Sequence, residues 1–141
     1  MENLKQRIFD LAKDLQLMSF ATVTEDGLPR VRYVVGKADP TLTLRFSTHL
    51  DSAKVRQMKN QPSVSVTTGG TGLRAQSWLE IEGSALVSTT AADRHAFWFG
   101  GLEAYFAGVD DPNYCIVIIH PSRIALWSMA ATEPEVWQPE A

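Results

Sequence analysis

The stretch "FSTHLDSAKVRQM", Phe46 to Met58, reads as a strand that runs into a helix. Its junction is crowded with small hydroxyls: Ser47, Thr48 and Ser52, with His49, Asp51 and Lys54 close by. Two physical readings compete there. Ser and Asp cap helices, because their side-chain oxygens accept hydrogen bonds from the unpaired N–H groups of the first turn. The same groups also suit an anion, such as a phosphate, seated at the helix N-terminus.

The segments on either side alternate with period two. "MSFATVTE" (18–25) and "RVRYVVGK" (30–37) flank the turn "DGLP", which predicts a hairpin. "LTLRFST" (42–48) puts Leu42, Leu44 and Phe46 on one face, and the helix Ser52 to Asn60 stops before Pro62. "SVSVTT" (63–68) and "SWLEIEGSALVS" (77–88) are further strands, the second bending at Gly83. "YCIVIIH" and "RIALWSM" form two last strands around Pro121 and Ser122. Leu4, Ile8, Leu11, Ala12 and Leu15 mark an N-terminal helix over residues 1–16 with Asn3 as its cap, and "TAADRHAFWF" (90–99) is helical with Thr90 as cap. About six strands joined mostly by short turns, without regular βαβ alternation, predict a mainly β protein: a small, closed antiparallel barrel flanked by three short helices. The whole of 1–141 is expected to be one domain, with 129–141 as a C-terminal tail.

Composition narrows the function classes. Thirteen basic and sixteen acidic residues give a formal charge of −3, which argues against a general nucleic-acid binder. Cys115 is the only cysteine, so no internal disulfide can form. "MENLKQRIFDLAKDLQ" threads charges through the N-terminus and lacks a signal-peptide core, and no apolar run reaches membrane-spanning length. A soluble, cytoplasmic protein is the expectation.

Most motif-like features have structural explanations. "GTGLRA" (70–75) fits a dinucleotide fingerprint in letters, but a strand follows where a helix should begin, so a hairpin loop is expected. His49, His95 and His120 have no partner at ligand spacing, and no metal site is expected. Cys115 sits in an apolar strand as a small hydrophobe, and Asp110 and Asp111 before Pro112 form a turn. Trp78, Trp98 and Trp127 fit either core filling or the stacking wall of a flat cofactor.

The strand "RVRYVVGK" is more informative. Arg30, Arg32 and Val34 share one face, and Tyr33, Val35 and Lys37 the other. A charge on each face of such a strand is costly unless paired or solvated. Arg32 lies on a strand expected to pair with the one ending in Ser47 and Thr48. Arg32, Lys54, the hydroxyls and the first-turn N–H groups at Ser52 could thus converge on a phosphate dianion.

Three stretches, taken together, resemble the FMN-binding split-barrel family, typified by pyridoxamine 5′-phosphate oxidase. "RYVVGK" (32–37) resembles its Arg-x-Val-Leu-x-Lys strand; "FSTHLDSAKVRQMKNQPSVSV" (46–66) resembles its following strand and helix; "PSRIALW" (121–127) resembles its Pro-x-x-Ile-x-x-Trp strand. The resemblance implies FMN contacts at Arg32, Tyr33, Val34, Val35, Ser47, Thr48, Ser52, Lys54 and Trp127, with Trp78 near the position of a flavin-contacting Gln. It places Lys37 and Trp98 on the substrate side and implies a six-stranded antiparallel split barrel, dimeric, with each FMN between two subunits.

The departures point away from the oxidase itself. Ala53 stands in place of a phosphate-contacting Arg, and "SMAATEPEVWQPEA" after Trp127 has no Arg or His to grip a vitamin substrate. The chain is more similar to the general-stress-protein branch, through Trp98, "YF" (105–106), the Asp-Asp-Pro turn and the closing tryptophan. The expected function is an FMN-dependent oxidoreductase or flavin reductase acting on a small electron acceptor, a nitro compound or quinone. The alternative is a non-catalytic flavin-storage or stress-response module, or a site for the deazaflavin or haem that relatives hold. The tail is expected either to be disordered or to fold over the partner, with Trp137 as an anchor.

Overall fold

A computed structural model describes residues 3–70 and 74–140. Helix α1 (Leu4–Ala12) starts at Asn3, whose Oδ1 accepts from the Gln6 N–H at 2.8 Å. It buries Ile8 and Ala12, then ends before Leu15, which stays 39% exposed. The helical spacing of Leu15 is coincidental, because the chain turns to enter β1 (Gln16–Val23) one residue later. β1 and β2 (Pro29–Ala38) form the expected hairpin over eight pairs, from Val23↔Pro29 to Gln16↔Gly36. Gly27 supplies the positive φ of 80° that the connecting turn needs.

β3 (Leu44–His49) begins two residues later than its alternation suggests. Leu42 belongs to a turn with φ 69°, built around Asp39, whose carboxylate accepts from the Thr41 and Thr43 N–H groups. Its side chain is nonetheless buried, which is why it matches the period of the strand. α2 (Ala53–Asn60), β4 (Ser63–Thr68) and β5 (Ser77–Ser88) follow at the expected places. α3 (Ala91–Phe97) is capped by Thr90, and a 3-10 turn (Leu102–Ala104) comes before the last long strand. Residues 71–73 of the "GTGLRA" stretch lie outside the described residues.

The two strands expected at the end are one, β6 (Tyr114–Ser128). Register shifts at Glu82/Gly83, so that Ser122 bulges out between Pro121 and Arg123. A bulge is a position where a sheet tolerates proline, since no ladder N–H is required there. The bend expected at Gly83 has the same origin: a Cβ there would come within 2.6 Å of the His120 carbonyl oxygen.

The sheet order is β3-β2-β1-β4-β5-β6, and β3 pairs back onto β6 to close a six-stranded antiparallel barrel. Phe20 and Phe46 meet edge to face at its centre, 4.8 Å between centroids. The inward residues Cys115, Val117 and Ile119 of β6 join that core, while Tyr114, Ile116 and Ile118 point outward under Phe97, Leu102 and Phe106. Burial of both faces accounts for the unbroken apolar run "YCIVII". The tail forms β7 (Glu135–Trp137), pairing with Ile124–Leu126 of its own chain, and Trp137 packs on its own core. Of the two readings of the tail, disorder does not hold for Glu135–Trp137, which backbone pairing ties to β6 with an exposed Arg7–Glu135 ion pair to α1 beside it.

Candidate functional site

The barrel is split where β2 leaves β3. Their ladder has three pairs, Gly36↔Phe46 to Ala38↔Leu44, although β2 continues back to Pro29. Gly36 marks the point of closest approach, since a Cβ there would sit 2.6 Å from the Arg45 carbonyl oxygen. Beyond it the strands separate, with Arg32–Val35 on one lip and Ser47 and Thr48 on the other.

β2 alternates as its sequence requires. Val31, Tyr33, Val35 and Lys37 are exposed, while Arg32 and Val34 turn inward and are half-buried. The Arg32 guanidinium reaches under the lip. Its Nη1 donates to Thr22 Oγ1 at 2.8 Å and to the carbonyls of Phe20 and Arg30 at 3.3 Å, and its Nη2 donates to Gln57 Oε1 at 3.0 Å. Lys54, on the first turn of α2, donates from Nζ to Thr48 Oγ1 at 2.8 Å. Burial, and then the Arg32 charge, hold the Lys54 ammonium below its usual pKa. Burial and Arg30 lower that of Arg32. Among the described residues neither cation has a carboxylate partner.

Ser52 decides between the two readings of the opening stretch. It occupies the N-cap position of α2, yet its hydroxyl makes no capping bond. Ser52 Oγ is buried without a hydrogen-bond partner. Capping therefore explains where the residue lies but not what its hydroxyl does. Two cations without a carboxylate, an unpartnered hydroxyl and a helix N-terminus make up the donor set of an anion cradle, one that a phosphate monoester would fit.

Thr48, which accepts from Lys54, also lines a cleft of about 490 Å³, with Val35, Ser47 and His49 beside it on the strand side. Phe99, Leu102, Tyr105 and Phe106 form the opposite wall. His49 tilts against Phe106 at 4.6 Å, and its Nε2 meets the Tyr105 carbonyl at 3.0 Å. Cys115 is buried behind this wall; burial raises its thiol pKa, as befits a core residue.

The tryptophans are distributed differently. Trp98 packs edge-on against Tyr114 at 5.3 Å and does not line the cleft; Phe99 takes that place. Trp78 and Trp127 are cross-strand partners, stacked 9° from parallel with centroids 6.2 Å apart, and Trp127 Nε1 is buried and unpartnered. They lie off this cleft, and Trp78 lines a second one of about 480 Å³ with Leu17, Ser19, Tyr33, Thr67 and Thr68. Within one chain, then, Lys54 meets Thr48 and lies close enough to Arg32 to feel its charge, and Val35, Ser47 and Thr48 line the cleft. Ser52 stands at the start of α2 two residues before Lys54, and Lys37 faces outward opposite Arg45. Thr22, Gln57 and the aromatic wall are not apparent from the sequence patterns. The one available signal was that Gln57 stands a helical turn beyond Lys54.

Residues 4–128 match the pyridoxamine 5′-phosphate oxidase family. The chain belongs to that family. It is 30% identical over 137 residues to general stress protein 26 of Bacillus subtilis (strain 168), covering 94% of each chain. The crystal structure of general stress protein 26 from Bacillus anthracis str. Sterne superposes with a TM-score of 0.84 at 23% identity, covering 98% of this chain and all of that one. A pyridoxamine 5′-phosphate oxidase-related, FMN-binding protein from Nostoc punctiforme PCC 73102 shares the fold at a TM-score of 0.64 and 18% identity, over 94% of this chain and 82% of that one. No helix among the described residues is long and apolar enough to cross a membrane.

Proposed function

We propose that this protein binds FMN and serves as a flavin-dependent oxidoreductase or flavin reductase toward a small electron acceptor. The observation that carries the reading is the pair of half-buried cations, Arg32 and Lys54, left without a carboxylate beside the unpartnered Ser52 hydroxyl. Arg32, Ser52 and Lys54 would hold the phosphate, and Val35, Ser47 and Thr48 would border the ring in the cleft. When bound, the flavin supplies the hydride chemistry. The chain's own residues would orient the cofactor, and the Phe99–Phe106 wall would keep water from it, with His49 facing it from the strand side.

The subunit arrangement belongs to the same proposal. Val31 and Tyr33, each 70% exposed, lie with Leu17 and Val35 on the outer face of the β1–β2 hairpin. An exposed apolar face of this kind would suit an association surface. A homodimer built on it would bring the second cleft, with Tyr33 and the Trp78–Trp127 pair, toward the partner's flavin. Lys37 would stand at the substrate side.

The deciding experiment is the absorption spectrum of the purified protein, with mass analysis of any chromophore released by heat. A two-band flavin spectrum with the FMN mass, one per subunit, is expected. A colourless protein that fails to take up added FMN would overturn the reading, and a deazaflavin or haem spectrum would redirect it. Bleaching of bound FMN by a reduced nicotinamide supports turnover. Inertness toward both nicotinamides would favour a flavin store.

A further inference from the structure

Arg32 is long and flexible, and something must direct it if it is to meet an anion. Two neutral groups do so. Thr22, 1% exposed on β1, accepts from Nη1, and Gln57, on α2, accepts from Nη2. The Thr22 hydroxyl in turn donates to the same Gln57 Oε1, so Arg32, Thr22 and Gln57 close a three-membered ring of hydrogen bonds. The guanidinium is thus clamped between a strand and a helix at two of its nitrogens, and the side-chain entropy an arginine would otherwise lose on binding is already spent.

The chemical identity of residue 57 matters as much as its position. An amide oxygen accepts the hydrogen bond without neutralising the cation. A glutamate in its place would pair with Arg32, as Asp39 pairs with Arg45, and would repel an incoming phosphate. We propose that Gln57 is a positioning residue that presents Arg32 to the cofactor's phosphate and thereby sets the preference for a phosphorylated flavin over its dephosphorylated form. This rests on the FMN reading above and adds to it a residue that never touches the cofactor.

The test is a comparison of FMN and riboflavin affinities, by flavin-fluorescence titration of the full chain, in wild type, Gln57→Leu, Gln57→Glu and Arg32→Met. The wild type should prefer FMN. Gln57→Leu should bind FMN about tenfold more weakly, the cost of misdirecting a bond to a charged group, while riboflavin affinity stays constant. Gln57→Glu should lose more FMN affinity, again with riboflavin unmoved, and Arg32→Met should abolish the preference. Equal loss of both ligands in Gln57→Leu would mean a merely structural role, and unchanged FMN affinity would mean no role; either overturns the inference while the cradle stands if Arg32→Met still loses the preference. A wild type that does not discriminate would overturn both. Should Gln57→Leu fail to fold, by circular dichroism, Gln57→Met decides in its place, because it keeps the length of the side chain, adds no charge and removes the acceptor for Arg32 Nη2.

Discussion

Arg32 and Arg45 stand on neighbouring strands and have opposite surroundings. Arg45 donates to Asp39 Oδ2 at 2.6 Å, and that carboxylate also takes the Thr41 hydroxyl and the Thr41 and Thr43 N–H groups. Arg32 meets a hydroxyl, an amide oxygen and carbonyls, with Lys54 as its charged neighbour. The first arrangement is complete in itself and secures the turn into β3. The second leaves two positive charges in a half-buried place, which disfavours the fold unless an anion completes it. Charge arrangement, and not residue type, separates an arginine that builds from one left open to an anion.

Four changes would break or sharpen that contrast. The largest effect is expected from Ser52→Asp, which gives the cradle the carboxylate it lacks. FMN affinity should fall by about 100-fold or more, through repulsion and occupation of both cations, while the ligand-free protein gains about 1 kcal/mol from a proper N-cap. Flavin titration and thermal melting measure the two effects, and a variant that still binds FMN would show that the cradle is not the phosphate site.

Next comes Lys54→Met, expected to weaken FMN binding about 10- to 100-fold, the value of a hydrogen bond to a charged group. The fold should survive. The sign of the pH effect follows from the lowered pKa of Lys54 in the free protein. The ammonium binds phosphate only while protonated, so affinity should decline as pH rises through that lowered value, earlier than an ordinary lysine would allow. In the absence of ligand the same shift makes the fold more stable as pH rises between the folded and unfolded pKa values. Both trends should vanish in Lys54→Met.

A smaller change is expected from Asp39→Asn. Burial alone would raise the Asp39 carboxyl, but hydrogen bonds from Thr41, Arg45 and Thr43 hold it below the usual carboxylate range. Its contribution is therefore present above the unfolded pKa and is lost as pH falls through the folded one. Asp39→Asn should cost under about 1 kcal/mol at neutral pH, after discounting for solvent screening, and should flatten the acid limb of a stability–pH curve. FMN affinity should not change. Least of all should happen in Glu135→Gln, which breaks an exposed ion pair with Arg7 while β7 keeps its backbone pairing. Its melting temperature should match the wild type; a clear fall would mean that the ion pair, and not the strand, holds the tail.

The local signals in the sequence were sound where neighbours along the chain decide the outcome. The turn at "DGLP", the caps Asn3 and Thr90, and the two faces of β2 all follow from spacing and from the special conformations of Gly, Pro, Asn and Thr. The positions of Leu15, Leu42 and Pro121 misled in different ways. Leu15 and Leu42 matched a local period but fall in the α1–β1 link and in the Asp39 turn, while Pro121 looked like a break between strands but stands at a bulge that the distant Gly83 imposes.

The candidate site divides along the same line. Arg32, Ser47, Thr48, Ser52 and Lys54 stood out as candidates because alternation and helix phase place them near one junction. Only the tertiary structure joined Gln57 and Thr22 to Arg32, stripped Ser52 of its cap bond, and put Trp98 against Tyr114 while pairing Trp78 with Trp127. The sequence by itself determined which groups could bind an anion, since side-chain chemistry and period are properties of the chain. Whether those groups were already neutralised by partners was decided by packing, because hydrogen-bond partners of half-buried charges come from elements brought together only when the barrel closes.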